Sequence, residues 1–550
     1  MSRRSSDEEQ QQAGISRREV IRTGAAAGVA AALGAGGAAS AAAAGPPGGA
    51  GPPGQPAGDE LTLVNGVIHT MDPDNTIARA VSIRNGRFVA VGAPSPGPGV
   101  RVINLHGRTV IPGIIDAHDH IVLVGNRPGW HTGLEHVFTI PDAVAALQAR
   151  SADVPPGEFI TCIGPISARQ FEEQRLPNRD ELDTVERPVY LQAAQGGTRA
   201  NSEAATWLAP FGVNVTEAGV VSPVGLALQT LRRELLTPET RKRSAFDALQ
   251  YFTRFGITTH RDSGAFHADE PAGGIATENT YTMHFPFLAL DQEGTMSARL
   301  RIDFLHQDSP TADPPLPTLG PRLQNSFTLF GNDWLRTGGI GEFTGGGVNG
   351  LRAIARAGWR GEDHALSLGA VTNHIVNRET VHAEIPLTDL RWVLSHIPGF
   401  NQDLAGRAHA MGIGVLVGWG PLRTGTNVGP PYRLVFDHPI TVGYHSDGGD
   451  ITVINPWLNF YTMITGRNLS GDHILGDQTL TRWETLWLAT AANKWFIWED
   501  DVGSIEVGNH ADLAVLDRDF FGVDEEEIRH IESVMTIVGG RIIHDTEEVG

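Results

Sequence analysis

His118 and His120 stand one residue apart at the end of the apolar run Ile114-Ile115-Asp116-Ala117, which follows the turn Pro112-Gly113. Side chains two apart on a strand point to the same face, so this spacing presents two imidazoles side by side. Neutral ring nitrogens suit a divalent, borderline-soft metal. Two surface histidines after a buried strand would show the same spacing, and His-x-His alone leaves both readings open. Nucleophilic chemistry has less to stand on: the chain holds no Gly-x-Ser-x-Gly elbow, and its single cysteine, Cys162, has no catalytic setting, disulfide mate or companion thiolate.

The elements that must position these histidines fall into three stretches. Residues 59–112 read as short strands with turn signals at Asn65-Gly66 and Asn85-Gly86, both hairpin pairs. Strand-like runs return over 502–550, in Gly503–Gly508, Ala511–Asp517 and Val534–Ile543, and the two ends together predict one small composite β-sandwich. Between them, over 113–501, apolar strand-like runs alternate with helical stretches, which favours a parallel α/β architecture long enough for an eight-stranded barrel with insertions. No repeat of solenoid period is present.

Residues 1–44 carry Ser16-Arg17-Arg18 ahead of a mildly apolar Ala/Gly segment with small residues at its end. They resemble a twin-arginine export signal, which implies a periplasmic or extracellular destination. The Pro/Gly-rich residues 45–58 read as a linker without a core. The formal charge of −21 argues against nucleic acid and anionic membranes as partners, since both demand basic patches. A small molecule is the expected partner; self-association is left open.

Val110-Ile-Pro-Gly-Ile-Ile-Asp-Ala-His-Asp-His120 resembles the first-strand signature of the amidohydrolase superfamily, and the chain looks closest to amidohydrolase family 3, the branch that includes N-substituted formamide deformylases. The resemblance implies a (β/α)8 barrel interrupting a sandwich built from both termini, with an α+β insertion over about 159–236. It also implies further ligands at later strand ends. Leu390–His396 matches the sixth strand and makes His396 a ligand; Ile440–Asp447 matches the eighth and makes Asp447 both ligand and proton carrier. His364 is the preferred fifth-strand ligand although Arg360-Gly-Glu-Asp363 is polar for a buried strand, and His374 and His382 compete with it. Where many relatives carry a carbamylated lysine on strand four, this chain offers Glu342 as a bridging carboxylate, with Gly338, Gly339 and Gly341 expected to let that strand approach the metals. His445 stands where relatives often have glycine. The Gly-His that often precedes Ala-Asn in the branch is replaced around Gly196-Gly197, ahead of Ala200-Asn201, so the relatives' substrate does not carry over. Asp262, in the third-strand segment Arg261–Gly264, reads equally as a helix-capping carboxylate.

The set His118, His120, Glu342, His364, His396 and Asp447 would hold one or two divalent ions, zinc being the expected metal. Such an ion lowers the pKa of bound water to roughly 7 and so generates a hydroxide. Asp447 would pass its proton to a leaving amine. The leading expectation is therefore hydrolysis of a non-peptide C–N bond, an amide or formamide. The alternatives are heterocycle deamination, weakened by Ser367 where deaminases carry a glutamate three residues after the histidine, ester or lactone hydrolysis, and an exported barrel that binds without turnover. Trp419, Trp457 and His445 are the expected substrate contacts, the tryptophans suggesting an apolar or aromatic molecule.

Overall fold

The computed structural model describes residues 60–94, 96–194, 197–264, 283–306, 308–309, 311–312, 314, 316–418, 420–423, 429–449 and 452–549. The expected export signal and linker, Gly196 and Trp419 lie outside the described residues.

Strands from both ends of the chain share one eight-stranded sheet. Its order runs Arg541–Asp545, Ser533–Val538, Leu513–Leu516, Thr109–Pro112, Leu61–His69, Ile77–Arg84, Arg87–Val91, with Arg101–Asn104 pairing beside Leu61–His69. The junction of the two termini is the antiparallel pair of Leu513–Leu516 with Thr109–Pro112. Asn85 and Gly86 both take positive φ, 51° and 75°, and close the hairpin expected there. Asn65-Gly66 does not close one: Leu61–His69 runs on as one strand with an irregularity between Val64 and Ile68. The irregularity switches the strand's parallel partner from Arg101–Asn104 to Thr109–Pro112. A Cβ on Gly66 would lie 2.7 Å from Leu105 Cδ1, so glycine serves close packing at this bulge.

The central stretch forms two four-stranded parallel sheets. One holds, in spatial order, Ile114–Asp119, Ile257–Asp262, Arg299–Phe304 and Leu335–Ile340; the other holds Glu362–His364, Val393–Ser395, Gly414–Gly418 and Val442–His445. They meet at both edges. Ile340 bridges Gly361 in parallel, and at the opposite edges the Asp447 amide donates to the His118 carbonyl over 2.9 Å. Helices separate successive strands, and their starts are capped as their sequences dictate: Ser367 accepts from the Ala370 amide and Asn401 from the Leu404 amide. The apolar faces of these helices and the outer faces of the strands share one large core that includes Trp359, Trp392 and Trp457.

A further four-stranded sheet, Trp130–Gly133, Ile160–Ile163, Val189–Leu191 and Arg199–Ala200, follows the first parallel strand. It begins at Trp130, ahead of the expected start at 159, because the helix Ile140–Ser151 packs its apolar face into the same cluster as Ile160 and Val189. Asn201 caps the next helix through the Ala204 amide. No described helix is long and apolar enough to cross a membrane.

Candidate metal centre

All eight parallel strands end on one side, where chemistry collects in folds of this kind. His118 lies within Ile114–Asp119 and His120 just past it; Glu342 follows Leu335–Ile340 by two residues; His364 ends Glu362–His364; His396 and Asp447 follow their strands by one and two residues. Nitrogen and carboxylate atoms of His118, Glu342, His396 and Asp447, all buried, lie within 4.8 Å of one another. His118 Nε2 is 3.2 Å from Asp447 Oδ1 and 3.5 Å from Glu342 Oε2. His120 Nε2 is 3.4 Å from Asp447 Oδ1 and 3.7 Å from Glu342 Oε1. His364 Nδ1 reaches Glu342 Oε2 at 3.3 Å, and His396 Nε2 stands 3.9 Å from Asp447 Oδ2. His364 alone is open to the outside, with 30% of its side chain exposed and its ring edge-on to Phe343.

Backbone strain marks two of these positions. His396 and Asp447 adopt left-handed φ values of 70° and 56°, a conformation that costs about 1–3 kcal/mol and persists only where the surroundings enforce it. The His396 amide donates to Leu416 and the Asp447 amide to His118, so neighbouring strands hold both turns in place.

The electrostatics of the cluster call for a cation. Burial works against a charged His118, yet Glu362, Asp447 and Glu342 carry it well above the usual imidazole range; burial likewise opposes His120, which Asp447 and Glu342 push up to about 10. Burial should raise both carboxyls, but His396, His118 and His120 hold Asp447 well below the usual carboxylate value, and His118 and His364 hold Glu342 well below it too. Two ionised carboxylates facing several imidazole nitrogens form a donor set that protons or a divalent metal can balance. Ligand atoms each about 2.1 Å from one zinc ion lie roughly 3.4 Å apart, close to the separations seen here. The residues therefore fit a metal.

The remaining candidates lie elsewhere or take other roles. His374 and His382 lie on the helix Leu368–His382, where His374 faces Asp363 and His382 accepts from the Leu387 amide; neither reaches the cluster. Trp457 is a core residue: its indole donates to the Phe255 carbonyl over 3.1 Å and packs edge-on against Phe460 and Phe520. His445 is wholly buried two residues upstream of Asp447, with ring centroids 5.1 Å from His118 and 4.8 Å from His396. It packs against the imidazoles of His118 and His396 instead of lining the mouth, and neither of its ring nitrogens has a hydrogen-bond partner among the described residues. Asp262 accepts from the Val122 and Gly264 amides, which is the capping role. The glycines of strand four make room for side chains of neighbouring strands. A Cβ on Gly338 would lie 2.2 Å from Asp303 Oδ1, and one on Gly341 2.9 Å from Glu362 Cβ, so the space they leave is filled by charged side chains.

Glu362 is the residue that sequence reasoning passed over. It sits two residues before His364, hence on the same strand face, and its Oε1 lies 2.5 Å from His118 Nδ1. The polar run Arg360–Asp363, which weighed against His364, was its signal.

A model of the amidohydrolase family, family 3, matches residues 101–544. Over 166 residues the chain is 29% identical to an N-substituted formamide deformylase of Arthrobacter pascens, an alignment covering 29% of this chain and 30% of the relative. Over 328 residues it is 26% identical to the protein LONG AFTER FAR-RED 3 of Arabidopsis thaliana, covering 54% of this chain and 53% of that protein. The chain thus spans only about a third of the first relative and about half of the second. Among solved structures, an uncharacterised metal-dependent hydrolase from Pyrococcus horikoshii superposes with a TM-score of 0.56 at 16% identity, covering 85% of this chain and 99% of the other. The zinc complex of atrazine chlorohydrolase from Arthrobacter aurescens gives 0.55 at 16% identity, with 88% and 96% covered. At these identities the superpositions establish a shared fold, and with the family match over residues 101–544 this chain belongs to amidohydrolase family 3.

Proposed function

We propose that this protein is a metal-dependent hydrolase that cleaves a non-peptide C–N bond in an amide or formamide. The observation that carries the reading is the convergence of His118, His120, Glu342, His364, His396 and Asp447 from positions up to 329 residues apart onto one cluster. In this reading the two parallel sheets are halves of one closed eight-stranded barrel over 113–501, and the terminal strands form a separate layer over 59–112 and 502–550. The name of the formamide deformylase, similar over 29% of this chain, favours the C–N assignment.

His118, His120, Glu342, His396 and Asp447 would hold the ion, with His364 beside a second position and Glu342 shared between the two. A divalent metal, zinc by analogy with the atrazine chlorohydrolase complex, supplies Lewis acidity and makes water acidic enough to attack near neutral pH. Asp447 is the proton carrier. His396, His118 and His120 keep it ionised against the cost of burial, so it can accept a proton from the attacking water. It then returns that proton to the departing nitrogen, which leaves poorly as an anion. His364, the exposed member, borders the entrance through which substrate arrives.

Ser367 bears on the deaminase alternative. Its hydroxyl is committed to capping the helix Leu368–His382, so no acid stands three residues after His364. The decisive experiment pairs elemental analysis of the purified protein with a screen of amides, formamides, lactones and heterocyclic amines. One or two equivalents of metal and chelator-sensitive release of amine from an amide or formamide are expected. Metal-free protein, or turnover of lactones alone, would overturn the proposal.

A further inference from the structure

Behind His118, on the side away from Asp447, lies a network of four charged side chains that no apolar strand interior requires. Glu362, Arg261 and Asp303 are wholly buried and Arg360 is nearly so. Arg261 Nη2 donates to both Asp303 and Glu362, while its Nη1 donates over 2.8 Å to the carbonyl of Ala117, the residue before His118. Arg360 Nη2 donates to Asp303 Oδ1 over 2.9 Å, and the Gly339 amide donates to the same oxygen over 2.6 Å. Ser395, the residue before His396, donates its hydroxyl to Glu362 Oε1.

Two carboxylates and two guanidiniums balance one another, so the network is neutral as a whole. Its stability value is small or negative: a buried ion cluster is commonly no better than apolar packing of the same volume. Interiors of parallel barrels are ordinarily filled by branched apolar side chains. What the network does provide is direction. On His118, Glu362 meets the ring nitrogen that faces away from Asp447 and Glu342, and Arg261 fixes the backbone just before that ring. Gly338 and Gly341 leave room for it on the neighbouring strand.

We propose that Glu362, braced by Arg261 and Asp303, is a positioning residue that locks His118 in its Nδ1–H tautomer and aims Nε2 at the space shared with Glu342 and Asp447. This rests on the metal-centre reading above. A metal-ligating imidazole whose other nitrogen donates to a carboxylate is held in orientation and made more basic, and loss of such a partner typically costs 10–100-fold in metal affinity. Ser395 extends the same carboxylate towards the strand end that carries His396, so one side chain couples two of the metal-binding turns.

The test measures zinc affinity by competition with a chromogenic chelator in wild-type protein, Glu362→Gln and Asp303→Asn. Glu362→Gln keeps the shape and removes the charge; Asp303→Asn loosens the brace without touching His118. A control, Asp512→Asn, breaks the buried pair between the residue ahead of the terminal strand Leu513–Leu516 and Arg299, at the start of a central strand, and loses stability away from the cluster. Zinc binding should weaken 10–100-fold in Glu362→Gln and by a smaller factor in Asp303→Asn, and stay at the wild-type value in the control. The visible bands of the cobalt-substituted protein should shift in Glu362→Gln and not in the control. Should Glu362→Gln fail to fold, Asp303→Asn decides by the same affinity and spectrum. Wild-type affinity and an unchanged cobalt spectrum in the folded Glu362 or Asp303 variants overturn the positioning role. A wild-type protein that binds no divalent metal overturns instead the metal-centre reading on which it rests.

Discussion

At the scale of single residues the cluster separates side chains by what each must do. Asp447 is buried and within 3.4 Å of two imidazoles, so in the mechanism proposed above removing its charge should remove proton transfer and leave the fold. In Asp447→Asn, kcat on an amide found by the screen should fall by roughly 10²–10⁴-fold with an unchanged circular dichroism spectrum. Retained turnover would show that another group moves the proton. Glu342 is the departure from the lysine that many relatives carry, and its two oxygens face different histidines: Oε1 towards His120, Oε2 towards His118 and His364. Glu342→Ala should therefore lower the metal content by at least one equivalent, and Glu342→Gln should weaken binding without abolishing it. If both variants keep the wild-type metal content and full turnover, Glu342 is not a ligand.

At the scale of elements, strand four shows how glycine can serve side chains on its neighbours. Gly338→Ala would set a Cβ 2.2 Å from Asp303 Oδ1 and 3.0 Å from Arg360 Nη2, both held by other bonds in a buried place. Overpacking of this kind costs about 1–3 kcal/mol. Gly406, inside the helix Gln402–Ala410, has nothing within 4 Å of where a Cβ would lie, so Gly406→Ala should instead gain about 0.5–1 kcal/mol from reduced chain entropy and better helix propensity. Urea unfolding of the two variants beside wild type checks both signs. Equal midpoints would mean that strand four yields more readily than its packing implies. The two Asn-Gly pairs carry a related lesson: the same dipeptide closes a hairpin at 85–86 and makes a bulge at 65–66, because the residues after Gly66 find parallel partners that extend the strand.

At the scale of the whole molecule, His131, His284 and His306 are buried and His136 is half-buried, and none of them is among the clustered donor residues. Burial, reinforced in each case by nearby arginines, lowers all four to about 3. In the unfolded chain these groups take up protons near pH 6.5, whereas in the folded protein they do so only near 3. Below pH 6.5 the unfolded state binds more protons, so stability falls as pH drops through that window, by up to about 1.4 kcal/mol per pH unit for each histidine. Urea midpoints should decline from pH 6.5 to 4.5, and His131→Gln should flatten the slope by about one proton's worth. An unaltered slope would show that His131 is protonated in the folded state. The terminal sheet makes a second demand at this scale. Thr109–Pro112 pairs with Leu513–Leu516, and Arg299 pairs with Asp512, so the chain's last strands extend the sheet begun by its first strands and tie it to a central strand.

The local pattern of residues was enough to find the His118-x-His120 pair, the apolar strands ending at His396 and Asp447, the Asn85-Gly86 hairpin and the alternation of strand and helix, because spacing, turn chemistry and apolar runs act over a few residues. Glu342, by contrast, was singled out by the resemblance to the family, as the carboxylate standing where many relatives carry a lysine. Tertiary structure alone decided which polar residues were partners. The charges of Arg360–Asp363 look wrong for a buried strand until Asp303, Arg261 and His118, from three other strands, supply the opposite charges and hydrogen bonds that make burial tolerable. It also decided that His374 faces Asp363, that Trp457 packs inward, and that the strand-four glycines make room for carboxylates, since each depends on neighbours remote in sequence.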